Sequence, residues 1–96
     1  MLSFLSRFNV KPEKEAEFLD LVDKLTAATR ENEPGCVYFS FYKRRDHDHG
    51  YAVFESFIDE NAEHAHMNAT HFQDFGMPML ECLDGEYVRE YLDDVR

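Results

Sequence analysis

The sequence predicts an α+β fold in which helices cover one face of an antiparallel sheet. Several short stretches alternate between apolar and polar residues as strands do, and a long stretch after the first of them has the period of an amphipathic helix. The chain has 96 residues, which is the length of one domain with one core. We therefore expect a single domain over residues 1–96.

The first strand and the first helix have the clearest patterns. Residues 2–10 alternate, and Lys11-Pro12 ends the strand. The residues on its apolar side are Phe4, Ser6, Phe8 and Val10. After Glu13 the period becomes helical. The apolar stripe consists of Phe18, Leu21, Val22, Leu25, Ala28 and Thr29. Pro34-Gly35 cannot continue this helix, which should end near Glu31–Glu33.

The middle of the chain predicts a β-hairpin. The stretches 36–44 and 51–57 are both rich in β-branched and aromatic residues. The polar run 45–50 between them suits a connecting loop, so the two strands should pair antiparallel. In the first of these strands, alternation assigns Val37, Phe39 and Phe41 to one face and Tyr38, Ser40 and Tyr42 to the other.

The last part of the chain predicts a broken helix and a final strand. Asp59 suits the N-cap of a short helix over residues 60–68, and Thr70 suits the cap of a further segment that includes Phe72 and Phe75. Gly76 and Pro78 should bend or interrupt that segment. Residues 85–92 mix aromatic and charged groups and predict an edge strand. This element order is the ferredoxin-like split βαβ arrangement.

The predicted strands carry large apolar groups on both sides. A helical layer on one face would leave the other exposed over an area that monomers rarely tolerate, so we expect a homodimer.

The formal net charge of −10 disfavours nucleic acid as a partner. No stretch approaches the roughly 20 apolar residues of a membrane span. The start lacks a leader-like pattern and the two cysteines are far apart, so we expect a cytoplasmic protein with free thiols.

Several segments together resemble the antibiotic biosynthesis monooxygenase family, whose domains form dimeric α+β barrels. They are Val10-Lys11-Pro12, Glu17-Phe18, Glu33-Pro34-Gly35-Cys36, residues 51–57, and Ala65-His66-Met67 with Thr70-His71-Phe72. Their order and spacing are more specific than any one of them. The resemblance implies oxidation of a small aromatic or quinol-type compound by molecular oxygen without a cofactor. Phe57 stands where the family often has tryptophan, which weighs against the haem-degrading members.

Glu55 and His66 are the candidate catalytic pair. Glu55 interrupts an apolar strand face, and a buried carboxylate is costly unless it is hydrogen-bonded, paired or protonated. The helix that follows this strand should return across the sheet, and the resemblance assigns both positions to the pocket. His71 either flanks the same pocket or caps the second helical segment. The alternative is a purely structural contact between Glu55 and His66 that ties helix to strand.

Aromatic side chains should line the substrate pocket. The candidates are Phe39, Phe54, Phe57, Phe72 and Phe75. Proton abstraction from a phenol or quinol by His66 would give an anion that reacts directly with oxygen.

No metal site is expected. His64 and His66 lie two residues apart on a helix and point to different sides, and residues 46–49 suit a solvated loop.

Two other functions remain open at this point. The same pair of side chains could serve an isomerase that acts on a small carbonyl or sugar-phosphate compound without consuming oxygen. A non-catalytic dimeric binding module, with its pocket closed by phenylalanine side chains, is the third possibility.

Overall fold

A computed structural model describes all of residues 1–96 and contains one four-stranded sheet in the order β2-β3-β1-β4. The strands are β1 (Leu2–Asn9), β2 (Cys36–Lys43), β3 (Gly50–Phe57) and β4 (Val88–Leu92). All neighbouring strands run antiparallel. This order confirms the ferredoxin-like α+β fold, including the predicted hairpin of β2 and β3.

Helical segments cover one face of this sheet. They are α1 (Glu15–Asn32), α2 (Glu60–Asn68) and α3 (Met77–Leu80), with a 3-10 turn at Pro12–Lys14 before α1 and a π-helical segment at Phe72–Gly76 before α3. The buried residues of α1 are Phe18, Leu21, Leu25 and Thr29. They are four of the six residues of the predicted stripe, whose other members, Val22 and Ala28, are half-buried. The bounds of α2 are those expected from the sequence.

The core lies between α1 and the sheet, with Phe18 at its centre. This side chain is fully buried, and its ring centroid lies 5.8 Å from that of Phe8 and 4.9 Å from that of Tyr51. Complete burial of a large apolar side chain contributes about 1.5–3 kcal/mol. The contact therefore fixes α1 against β1 and β3.

Three local predictions were wrong. The register of β2 shifts between Cys36 and Tyr38, and this irregularity leaves Val37 53% exposed rather than on the face of Phe39. Thr70 caps no helix, because the N–H groups of Phe72 and Gln73 donate to the Ala69 carbonyl instead. β4 begins at Val88 instead of Gly85.

The predicted break at Gly76 and Pro78 takes the form of the π-helical segment. The chain stays helical through both residues. Pro78 is the second residue of α3 and has no N–H to donate to the preceding π-helical turn. This segment carries Phe72 over the sheet and so helps to position the site described below.

The sheet face opposite the helices bears a group of apolar side chains. They are Leu5, Tyr38, Tyr42, Phe54, Val88 and Leu92, as the strand registers show. Tyr38, Tyr42, Val88 and Leu92 are between 41% and 59% exposed. No helix of the structure is both long and apolar enough to cross a lipid bilayer.

Candidate active site

Glu33, Glu55, His66 and His71 come together from four separate parts of the chain. Glu33 is the C-cap of α1, Glu55 lies on β3, His66 on α2, and His71 just before the π-helical segment. The turn at Gly35 makes this meeting possible, because a Cβ there would lie 2.7 Å from the Cβ of Ala62. Only glycine lets α2 approach the end of α1 so closely.

The start of α2 is fixed by its N-cap. The side chain of Asp59 accepts a hydrogen bond of 2.8 Å from the N–H of Ala62, as predicted. Two turns later, His66 is the buried residue of this helix. Its ring lies 5.3 Å from that of Phe39 and 5.4 Å from that of Phe57, so aromatic packing holds the imidazole in place.

The closest partner of His66 is Glu33. Nδ1 of His66 donates to Oε2 of Glu33 at 2.8 Å, and both side chains are almost completely buried. A carboxylate can only accept, so Nδ1 carries a proton, and in the neutral imidazole the lone pair is then on Nε2. Nε2 lies 3.7 Å from Oε1 of Glu55. The predicted Glu55–His66 contact is therefore present, but it is longer than a hydrogen bond.

His71 contacts the same carboxylate. Its Nε2–H donates to Oε2 of Glu33, and its ring lies 6.2 Å from that of His66. The His71 side chain caps no helix. His71 does not line the cavity described below, so its observed contact is with Glu33, which it helps to hold in place.

Glu55 has the most strongly perturbed carboxyl group of the site. Burial raises the pKa of Glu55 from 4.5 to about 7, partly opposed by the positive charge of Arg89 and reinforced by the negative charges of Glu63 and Glu33. Near neutral pH its protonated and ionised forms are therefore both populated. Such a group can donate a proton or accept one during a reaction.

A cavity of about 90 Å³ opens beside Glu55 and His66. Its apolar lining is formed by Phe8, Leu25, Phe39, Phe41, Val53, Met67, Phe72, Met79, Leu80, Leu83 and Tyr87. The remaining lining residues are Ser6, Glu55, His66, Gly76 and Arg89. Benzene occupies a cavity of about 150 Å³ in an engineered protein, so a ring-sized substrate would also need the open mouth of this one.

Only two of the five phenylalanines predicted to line the pocket do so. Phe39 and Phe72 line the cavity. Phe57 is fully buried behind the ring of His66, and Phe75 packs against the main core instead of the cavity. Phe54 lies on the opposite sheet face beside Tyr38, because successive strand residues point to opposite sides and Glu55 faces the helices.

Glu33, Ser6 and Arg89 are site residues that the sequence did not reveal. Ser6 does have a visible signal, since it is the one polar residue among the apolar side chains on its face of β1. Glu33 stands beside a helix-ending Pro34-Gly35 pair, a position where an exposed carboxylate is ordinary. Arg89 lies on a short edge strand among other charged residues.

Glu33, His66 and His71 are also the group best suited to hold a metal ion. One ligand atom from each lies within 4.8 Å of the others, a grouping that the spacing of His64 and His66 could not reveal. Neighbouring ligand atoms around tetrahedral zinc are roughly 3.3 Å apart, given bonds of about 2.0–2.1 Å. The 2.8 Å between Glu33 and His66 is a hydrogen-bond distance, so an ion would require Glu33 to move.

Known proteins place the chain in a family. The sequence pattern of the antibiotic biosynthesis monooxygenase family matches residues 1–76, a range that holds Glu33, Glu55, His66 and His71. The chain belongs to the antibiotic biosynthesis monooxygenase family. Arg89 and β4 lie beyond the matched range.

Individual relatives agree with this family assignment. An uncharacterised protein from Synechocystis is 33% identical over 66 residues, which are 69% of this chain and 44% of that protein. The chain thus spans less than half of that relative. A structure from Caulobacter crescentus CB15, provisionally assigned as an antibiotic biosynthesis monooxygenase, is 29% identical and covers 99% of this chain and 90% of its own, with a TM-score of 0.90.

A second solved structure is also similar to this chain. A conserved protein from Methanosarcina mazei Go1 is 27% identical and covers 95% of this chain and 89% of its own, with a TM-score of 0.86. The Caulobacter structure covers 99% of this chain, so the likeness to it extends through β4, beyond the range that the sequence pattern matches.

Proposed function

We propose that the protein is a homodimeric, cofactor-independent monooxygenase that oxidises a small aromatic or quinol-type compound with molecular oxygen. The observation that carries the proposal is the imidazole of His66, whose proton is fixed on Nδ1 by Glu33 while Nε2 lies beside Glu55 at a mostly apolar cavity. A positioned base in a water-poor cavity suits proton abstraction from a phenol. Family membership supports this class of chemistry.

The reaction can be written without an external reductant. Nε2 of His66 takes the proton of a hydroquinone hydroxyl, and the resulting anion adds oxygen at a ring carbon. The protonated imidazole returns its proton to the peroxide, and loss of one water molecule leaves a hydroxyquinone. One oxygen atom enters the product and the other leaves as water. The substrate supplies all the electrons, and Glu33 stabilises the transient imidazolium.

Oxygen uptake tests this proposal. Pure protein in the presence of a chelator should consume oxygen with a hydroquinone faster than the uncatalysed reaction. His66→Ala should lower the rate about 10²–10⁴-fold, the usual contribution of a general base. His64→Ala is the matched control, because this exposed histidine lies on the same helix outside the cavity. Equal rates for wild type and His66→Ala would contradict the proposal.

One observation favours an isomerase as the second candidate. Burial raises the pKa of Glu55 to about 7, so Glu55 and His66 could move a proton between neighbouring carbons of a small carbonyl compound. Turnover that continues without oxygen would identify this reaction. The third possibility, a closed binding module, is disfavoured by the cavity beside His66.

The homodimer is proposed from the outer sheet face. Tyr38, Tyr42, Val88 and Leu92 are partly exposed there, and a second copy would cover them. Sedimentation at micromolar concentration should give a dimer, and Tyr38→Glu should shift it toward monomer. A stable wild-type monomer would contradict this.

We also propose that the protein is cytoplasmic, because the free thiols of Cys36 and Cys82 would stay reduced there.

A further inference from the structure

We infer that Ser6 and Arg89 form an anion-binding end of the cavity, and that the substrate is an aromatic compound carrying a carboxylate. The inference rests on the proposed function for the reaction and names the substrate class that the same cavity would take. It concerns the two polar lining residues that play no part in the mechanism above, one on β1 and one on β4.

Ser6 and Arg89 are direct neighbours across the sheet. They face each other in the register of β1 and β4 and both line the cavity. Arg89 is the only lysine or arginine in that lining. A cation among mostly apolar side chains attracts negative charge, and Glu63 and Glu55 are the two carboxyl groups near enough to compete with a ligand for it.

The guanidinium of Arg89 is held ready for a ligand. It stacks over the ring of Phe4, with Cζ 4.1 Å from the ring centroid. Its Nη1 lies 3.7 Å from Oε2 of Glu63, and the Arg89 side chain is 26% exposed. Packing and the ion pair together restrict its rotation, so little conformational entropy remains to be lost when a ligand binds.

Two buried donors at this end have no partner within the protein. They are the hydroxyl of Ser6, a residue that is 3% exposed, and Nε of Arg89. A buried donor without a partner destabilises the fold, so such groups are normally satisfied by a ligand or by water. The contact with Glu63 involves Nη1 of Arg89 and provides a partner for neither of these two donors. Neighbouring side chains enclose both atoms, so a ligand carboxylate would accept from both, one per oxygen atom, once this end of the cavity opens slightly.

The remaining shape of the cavity fits the other part of such a molecule. Phe39 and Phe72 line it together with several aliphatic side chains, and these surfaces suit an aromatic ring. Glu55 and His66 border the same space. An aromatic acid with its carboxylate at Ser6 and Arg89 would therefore present ring substituents to the base. The matching substrate for oxidation is a hydroquinone that bears a carboxylate.

Binding of redox-inert ligands tests the inference apart from catalysis. Benzoate and its neutral isostere benzamide are titrated into the full-length protein, with affinity measured by calorimetry or NMR shifts. Wild type should bind benzoate at least tenfold more tightly than benzamide. Arg89→Met should reduce benzoate affinity to the benzamide level and leave benzamide binding unchanged. Arg89→Lys keeps the positive charge but lacks the Nε–H donor, so its affinity for benzoate should lie between those of wild type and Arg89→Met.

Two further variants provide the controls. Ser6→Ala removes the second donor with little change in volume and should weaken benzoate binding a few-fold and benzamide binding less, because the amide carbonyl is the weaker acceptor. Arg7→Met removes an exposed arginine from the opposite face of β1, where it pairs with Glu90, and should change neither affinity. Equal affinities of wild type for the two ligands, as expected if water alone satisfies the donors, would overturn the inference. So would an equal loss in Arg7→Met, which would indicate a general charge effect.

Turnover then separates the inference from the proposed function. If carboxylate preference is found but no hydroquinone is oxidised, the anion site stands and the monooxygenase proposal fails. If plain hydroquinone and 2,5-dihydroxybenzoate are oxidised with equal kcat/KM, the reaction stands and the substrate class is wrong.

Discussion

Glu55→Gln should remove a loss of stability that this protein suffers as the pH rises. Burial raises the pKa of Glu55 from 4.5 to about 7, so the folded chain keeps a proton that the unfolded chain has released between these pH values. The contribution of Glu55 to stability is therefore complete below about pH 4.5 and is lost as the pH rises through 7. At 1.36 kcal/mol per pKa unit, the loss is roughly 3 kcal/mol. Glutamine does not ionise in this pH range, so the Glu55→Gln variant should lack this loss.

Urea unfolding at a fixed protein concentration, repeated from pH 4.5 to pH 8.5, measures this difference. The unfolding free energy of Glu55→Gln minus that of wild type should increase by roughly 3 kcal/mol over the range. Glu86→Gln, at an exposed position, is the control and should leave the difference nearly constant. A constant difference for Glu55→Gln as well would refute the reasoning, because it would show that the carboxyl group is ionised in both states.

Three further substitutions test local features of the fold. Thr29→Val removes a buried hydroxyl without a partner and should leave the unfolding free energy unchanged or raise it by up to about 1 kcal/mol, whereas a large loss would reveal a bonded hydroxyl. Asp59→Ala should cost about 1 kcal/mol by removing the cap of α2, with Asp59→Asn close to wild type in the same denaturation series. Gly76→Ala places a Cβ 2.7 Å from Cδ2 of Phe72 and should lower stability by about 1–3 kcal/mol and weaken benzamide binding, unless the ring can move aside.

Periodic elements were the part of the fold that the sequence could predict. The alternation in β1 and the stripe of α1 each follow from one buried face, and Asp59 marks the start of α2 because its side chain bonds within one turn. Such signals are local in the sequence. The irregularity at Val37 had no local signal, since nothing in its neighbours distinguishes a bulged position from a regular one.

The candidate site was predictable only in part. Glu55 was detectable as a carboxylate on an apolar strand face, and His66 followed from the helix that crosses it. The bond between His66 and Glu33 joins residues 33 positions apart and depends on how closely Gly35 lets two helices approach. Ser6 and Arg89 become neighbours only through the pairing of the first and last strands. Contacts of this kind are set by the three-dimensional arrangement and leave no periodic pattern.

Glu33 and His66, which together hold the proton on Nδ1, come from different halves of the chain. The imidazole ring is encoded after β3, whereas the group that decides which nitrogen bears hydrogen is encoded before β2. A chimera of two homologues with its crossover in the β2–β3 hairpin would inherit these parts from different parents. Such recombinants could fold with an intact sheet and still carry the wrong imidazole tautomer, so shuffled libraries should keep both segments from one parent.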